Sequence, residues 1–175
     1  MKLFPRTLTT LTATLLAVSP ALAMDKRQAD AICASWKLEC PGGATASGGP
    51  ADPSGTLECR LQRKGRVVRH GPSVTCADGE GQSWGDFKEG KKQGRHVALN
   101  SDGSWSEEDF ADNKLEGRSV EYDAKGQLLS ETFFQGGKRH GPSRTYARGV
   151  LTSEESWEKG RKVKRPTAKT RAQSP

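Results

Sequence analysis

Glycine recurs in this chain with a period of about 23 residues, and a fixed short period limits the possible folds more than any other feature. Gly71, Gly94, Gly117 and Gly141 are spaced by 23, 23 and 24, and Gly79, Gly103, Gly126 and Gly149 by 24, 23 and 23. An aromatic follows each member of the first series at a constant offset (Phe87, Phe110, Phe133, Trp157), and shortly after it come Gly90, Asn113, Gly136 and Gly160. Several series sharing one period mark a tandem array of one supersecondary unit. A unit this short with two turn signals has room for two strands, so the array reads as stacked β-hairpins. One turn carries Asp78-Gly79, Asp102-Gly103 or Lys125-Gly126, dipeptides suited to positive φ. Asn113 stands where the other units have Gly, and Asn tolerates the left-handed region best among the rest, so backbone geometry selects this position.

Antiparallel pairing about a second turn centred at 113–114 sets Trp105 opposite Tyr122, an aromatic cross-strand pair. Carried back two uniform units, the same register sets Cys59 opposite Cys76. An even number of cysteines in an exported chain favours disulfides. The expected bridges are therefore Cys59–Cys76 within the first hairpin and Cys33–Cys40 before it. Phe87 joins the sheet aromatics, and Trp84, Trp105, Phe110, Tyr122, Phe133, Tyr146 and Trp157 are expected mostly to fill one inner face.

The pattern Gly-Lys-[Lys/Arg]-x-Gly, then Leu or Tyr, then Gly, is seen at Gly90-Lys91-Lys92-Gln93-Gly94 with Leu99 and Gly103. It recurs at Gly137-Lys138-Arg139-His140-Gly141 with Tyr146 and Gly149. Followed by a strand bearing an aromatic, it resembles the MORN repeat, and more closely the bacterial MORN-variant repeat of proteins labelled as antitoxins. The resemblance covers about 65–164. It implies an all-β, elongated, single-layer antiparallel sheet that twists along its length, and it implies no activity.

The flanks read differently. Residues 1–23 have a basic start (Lys2, Arg6), an uncharged apolar run and Ala21-Leu22-Ala23, the pattern of a cleaved secretory signal. The run is shorter than the roughly 20 residues a membrane span needs. The expected location is periplasmic or extracellular. Residues 24–40 hold a short helix, with Ala29, Ile32, Cys33 and Trp36 on one face, and the first cysteine pair. Residues 41–55 are Gly/Pro/Ser-rich and read as a linker; 56–164 are the array, a cap strand plus four units; 165–175 are a basic tail expected to be disordered. The formal charge of +7 sits at the ends: residues 1–23 contribute +2 and 159–175 contribute +7, leaving −2 between.

Catalytic chemistry finds little support. His70 and His140 share one repeat position three units apart, which does not suit a metal site and reads as an exposed strand-entry position. Cys33-x6-Cys40 and Cys59-x16-Cys76 are not redox or zinc spacings. Ser73 and Ser143 lie outside any nucleophile elbow. Glu107-Glu108-Asp109 and Glu154-Glu155 recur at equivalent strand positions, as a solvated sheet face does. The glycines fall at turn period, not at a phosphate-cradling strand-to-helix junction. The expectation is a non-enzymatic repeat protein with no cofactor that presents an extended β surface to a protein partner. The alternative is attachment to an anionic membrane or wall polymer through the basic tail. Nucleic acid is not expected, because the tail carries no aromatic for base stacking.

Overall fold

Each repeat resolves into two strands joined by two unlike turns. In a computed structural model, which describes residues 24–77 and 81–164, eleven strands form one antiparallel sheet in strict sequence order. They are β1 Thr45–Gly48, β2 Thr56–Arg63, β3 Arg66–Ala77, β4 Gly81–Lys88, β5 Lys91–Leu99, β6 Trp105–Ala111, β7 Lys114–Tyr122, β8 Leu128–Gln135, β9 Lys138–Ala147, β10 Val150–Glu158 and β11 Arg161–Val163. The single-layer sheet is thus the expected one. Strand β1 lies within 41–55, the stretch read as a linker: Thr45 to Gly48 pair with β2 and extend the array by one strand.

One set of turns has two central residues, both at positive φ, as a type I′ hairpin requires: Lys64-Gly65, Glu89-Gly90, Asp112-Asn113, Gly136-Gly137 and Lys159-Gly160. At Gly136-Gly137 it is Gly137, not Gly136, that takes the second place. The other set includes the loops at Asn100–Ser104 and Asp123–Gln127. In these two only the glycine (Gly103 or Gly126) has positive φ, and an aspartate closes the loop by accepting backbone N–H groups, whereas Arg148-Gly149 on the same side has positive φ at both residues, as the first set does. Gly79, expected in such a turn, lies outside the described residues.

Gly71, Gly94, Gly117 and Gly141 are not turn residues. Each sits at a register shift, where the strand facing β2, β4, β6 or β8 carries extra residues, and each has positive φ (104°, 68°, 99° and 100°). They are β-bulges, which raise local twist.

Side chains alternate between two faces. The N-terminal arm covers one of them. Helix α1, Lys26–Ser35, starts in a capping box formed by Asp25 and Gln28 and ends on Trp36 in the left-handed region. Its apolar face packs Ala29, Ile32 and Cys33 against Val74, Cys76, Trp84, Val97 and Leu99, and Trp84 Nε1 donates to the Met24 carbonyl at 2.8 Å.

The disulfides connect this arm to the sheet. They are Cys33–Cys76 and Cys40–Cys59, not the Cys59–Cys76 and Cys33–Cys40 pairs expected from the repeat register. The extrapolated register fails because the first unit is longer than the rest: Gly65 and Gly90 are two positions farther apart than Gly90 and Asn113. Trp105 and Tyr122 do pair and stack at 4.7 Å, and Cys76 keeps the Tyr122 position five residues after the bulge glycine, but the residue facing it is Gly55, whose carbonyl accepts from the Cys76 N–H at 2.7 Å. Cys59 instead stands opposite the Gly71 bulge, where Pro41 packs.

Non-reducing peptide mapping of residues 24–175 will recover Cys33–Cys76 and Cys40–Cys59 peptides; a Cys59–Cys76 peptide would contradict the observed register. In denaturant melts, Gly94→Ala will cost about 1 kcal/mol, the penalty of a Cβ at positive φ in open space. Gly71→Ala will cost clearly more, because its Cβ would also collide with the Pro41 ring.

Candidate functional site

No described element other than the strands themselves packs on the face opposite α1, which is open along the array. Its side chains fall in rows crossing the strands. Phe87, Phe110, Phe134 and Trp157 form the first row, each directly opposite a bulge glycine: Gly71, Gly94, Gly117 and Gly141. A glycine leaves its aromatic neighbour room to lie flat, a pairing that rescues the missing side chain. Phe134, not Phe133, occupies the third place in the row. A bulge between Glu121 and Tyr122 consumes one extra residue, so Gly117 is one position farther from its aromatic than the other bulge glycines are from theirs. Phe133 therefore points to the helix face. The adjacent pair Phe133-Phe134 is the sequence signal for this ambiguity. Trp84, Trp105, Tyr122 and Tyr146 also lie on the helix face, so the aromatics divide between faces instead of filling one.

Cations cover three rings of the row, those of Phe87, Phe110 and Trp157. Arg69 lies 5.0 Å from the Phe87 centroid, Lys92 4.5 Å from Phe110 and Arg139 4.8 Å from Trp157. Leu115 takes the equivalent position in the remaining unit. His96 is wedged edge-on between Phe87 and Phe110, at 5.3 and 5.2 Å, over Gly85, where a Cβ would clash with the imidazole. Its Nε2 lies 2.9 Å from the Asp86 carbonyl oxygen. Burial holds its pKa below the ordinary 6.5, with nearby Lys92 acting the same way against the opposing backbone hydrogen bond.

Behind the aromatic row runs a hydroxyl-rich band of Ser73, Ser119, Thr132 and Ser143 interrupted by His96, Glu108 and Glu155. Thr132 and Ser143 share a 2.9 Å hydrogen bond. A shallow groove of about 210 Å³ opens where Thr56, Ser73, Ser83, Phe87 and His96 meet. Glu58 is buried at its end between Arg60 (2.7 Å) and Arg69 (2.5 Å).

The uncovered part of the helix face carries an ion-pair ladder, Arg118–Glu131–Arg144–Glu154, with contacts of 2.6, 3.0 and 2.9 Å. Burial alone would raise the Glu131 pKa, but hydrogen bonds from Arg118 and Arg144 outweigh it and hold the carboxyl below its ordinary range. Beside α1, a cavity of about 390 Å³ is lined by Met24, Trp84, Val97, Leu99, Trp105 and Glu107.

Residues that looked chemically suggestive do not converge. Glu107 and Asp109 lie on the helix face and Glu108 on the open face; Glu154 and Glu155 divide in the same way. His70 and His140 occupy equivalent positions far apart in the array, and His70 Nδ1 accepts from the Glu89 N–H at 3.3 Å. Among the described residues no serine hydroxyl is hydrogen-bonded to a histidine, and no group of three His, Cys, Asp or Glu is placed to hold a metal ion. No helix among them is long and apolar enough to cross a membrane. Residues 1–23 and 165–175, read as signal and tail, lie outside the described residues. No family model and no curated protein matches the chain.

The His96 environment gives a signed pH dependence. Because its folded pKa is depressed, the folded protein binds fewer protons there than the unfolded chain. The contribution to stability is complete above the unfolded value near 6.5 and is lost as pH falls below it. An NMR titration of the His96 ring will show a midpoint under 6.5. The thermal midpoint will fall less between pH 7 and 5 in His96→Gln than in the parent; equal slopes would show that the ring is not desolvated.

Proposed function

We propose that this is a non-enzymatic exported binding protein, a MORN-like repeat array that presents its open sheet face to a protein partner. The carrying observation is that face: a surface of hydroxyls and aromatics along the array, three of the four rings covered by cations, with no described element of the chain packed over it. Repeat arrays bind partners through such extended surfaces, because each added unit lengthens the contact. Aromatic and arginine side chains, which dominate interface hot spots, recur here along the hairpins. The two disulfides are compatible with an oxidising, exported environment. The basic start, apolar run and small-residue ending of residues 1–23 support export by a cleaved signal.

The test is capture from envelope extract by the mature chain 24–175 and by a Ser119→Arg/Thr132→Arg variant, which places two bulky charges at the middle of the open face. A protein retained by the parent and reduced at least tenfold by the variant, at unchanged melting temperature, supports the reading. Equal capture by both, or a hydrolase or transferase activity abolished by one substitution, sinks it.

A further inference from the structure

The two long sides of the sheet differ in charge. Five type I′ turns line one side, and the residues that follow them are Arg66, Lys91, Lys114, Lys138 and Arg161; a further turn of this kind, Arg148-Gly149, lies on the opposite side and is followed by Val150. All five are exposed. Lys88, Lys92, Arg139, Lys159 and Lys162 stand on the same side. The carboxylates there are engaged: Glu89 with Arg63 at 3.2 Å, Asp112 with Lys91 at 3.7 Å, and Glu116 with the Gly136 N–H at 2.6 Å. Glu158 stands across the ladder from Arg161. The opposite side carries loops closed by Asp52, Asp102 and Asp123, with Lys125 and Arg148 as its basic residues among those described.

Turn chemistry does not require this row. A type I′ turn needs positive φ within the turn and sets no charge on the residue after it. Lysine is depleted in strands, and its use to protect sheet edges applies to edge strands, whereas Lys91, Lys114 and Lys138 begin interior strands. The backbone also holds the row in place. The N–H groups of Gly90, Asn113, Gly137 and Gly160 donate to the carbonyls of Arg69, Lys92, Leu115 and Arg139 in the preceding hairpin, at 2.8, 3.2, 2.9 and 2.9 Å. Successive cations are two strands apart, about 9.5 Å, close to the Debye length of roughly 8–10 Å at moderate salt. Their potentials therefore merge along a line.

We propose that this row is a binding site for a linear polyanion, an acidic polysaccharide with carboxylates on its sugar rings, lying across the turns at right angles to the strands. A sheet rotates by roughly 20–25° per strand, so the row winds around the long axis of the array. A flexible polymer follows such a path, whereas a flat bilayer meets only part of it. Single-stranded nucleic acid binds by stacking bases on free aromatic faces, and here Phe87, Phe110 and Trp157 already carry cations over their rings. The inference goes beyond the partner-binding reading: it uses the side of the sheet, not its face, and either can fail without the other.

The test uses the disulfide-intact chain 24–175 and polygalacturonate, with oligothymidylate, phosphatidylglycerol vesicles and neutral dextran as comparison ligands. Polygalacturonate will bind at low salt and weaken at least tenfold between about 50 and 200 mM NaCl, as counterion release demands. Lys91→Gln/Lys114→Gln/Lys138→Gln will weaken binding tenfold or more. Lys125→Gln/Arg148→Gln, on the opposite side, will change it less than twofold, with melting temperatures matching the parent in both. Truncation after Lys164 will leave the effect of the triple substitution in place, which separates the row from the tail. Absence of binding, binding indifferent to the triple substitution, or tighter binding to oligothymidylate or vesicles than to polygalacturonate overturns the proposal.

Discussion

A sheet of one layer has no second layer to bury its apolar face, and here the N-terminal arm supplies that cover over only part of its length. Val74, Trp84 and Val97 would otherwise be exposed, and α1 with Met24 is what removes them from water. A ten-residue helix is marginal alone, so its docking depends on the two bridges. Cys33–Cys76 and Cys40–Cys59 close chain separations of 43 and 19. Loop-closure arguments assign each roughly 3–4 kcal/mol, comparable with what burying a few large apolar side chains contributes. Farther along the array no described helix helps, and stability rests on ladder hydrogen bonds and cross-strand pairs such as Trp105–Tyr122, worth about 0.5–1.5 kcal/mol beyond burial.

The unlike turns divide the molecule electrostatically. Loops in which only the glycine adopts positive φ need an acceptor for their inward N–H groups, and Asp52, Asp102 and Asp123 supply it. Hydrogen bonds from Ser54 and Ser104 hold the Asp52 and Asp102 carboxyls below their ordinary pKa, which favours their anionic form. Type I′ turns satisfy themselves through backbone conformation and leave their neighbours free to be basic. The aspartate-closed loops and the basic row thus reflect two solutions to the same problem of reversing a strand, and Arg148-Gly149, a type I′ turn followed by Val150 on the acidic side, shows that this turn permits a basic neighbour without requiring one. The same backbone economy places an aromatic opposite each bulge glycine, so the aromatic row keeps the period of the bulges.

Much of the fold is legible in the sequence because the period is a backbone requirement. Asn113 replaces Gly where φ is 68°, and the substitution alone marks the position as conformational. The pairing of Trp105 with Tyr122 is also readable, since that hairpin lies inside the regular part of the array. The errors come from treating the period as uniform. The longer first unit shifts the disulfides, and a bulge after Glu121 moves Phe134 into the place given to Phe133. Strand β1 is hidden because Thr45-Ala46-Ser47-Gly48 has no strong strand propensity; it exists because β2 offers an edge and Cys40–Cys59 holds the chain beside it. His96 gives no signal at all, because its position depends on Gly85, a residue outside every periodic series.

Charge totals mislead for a related reason. Residues 24–158 sum to slightly negative, which suggests that basicity belongs to the C-terminal residues alone. A hairpin array sorts its residues by position within the repeat and not by position along the chain. Lysines one period apart in sequence become neighbours in a row, while Asp52, Asp102 and Asp123, which help to cancel them in the sum, are carried to the other side of the sheet. A polymer lying along one side experiences only the local row, because charges a strand length away are screened beyond about one Debye length. Net charge is therefore the wrong quantity for a single-layer repeat protein; charge per repeat position is the one that a ligand meets.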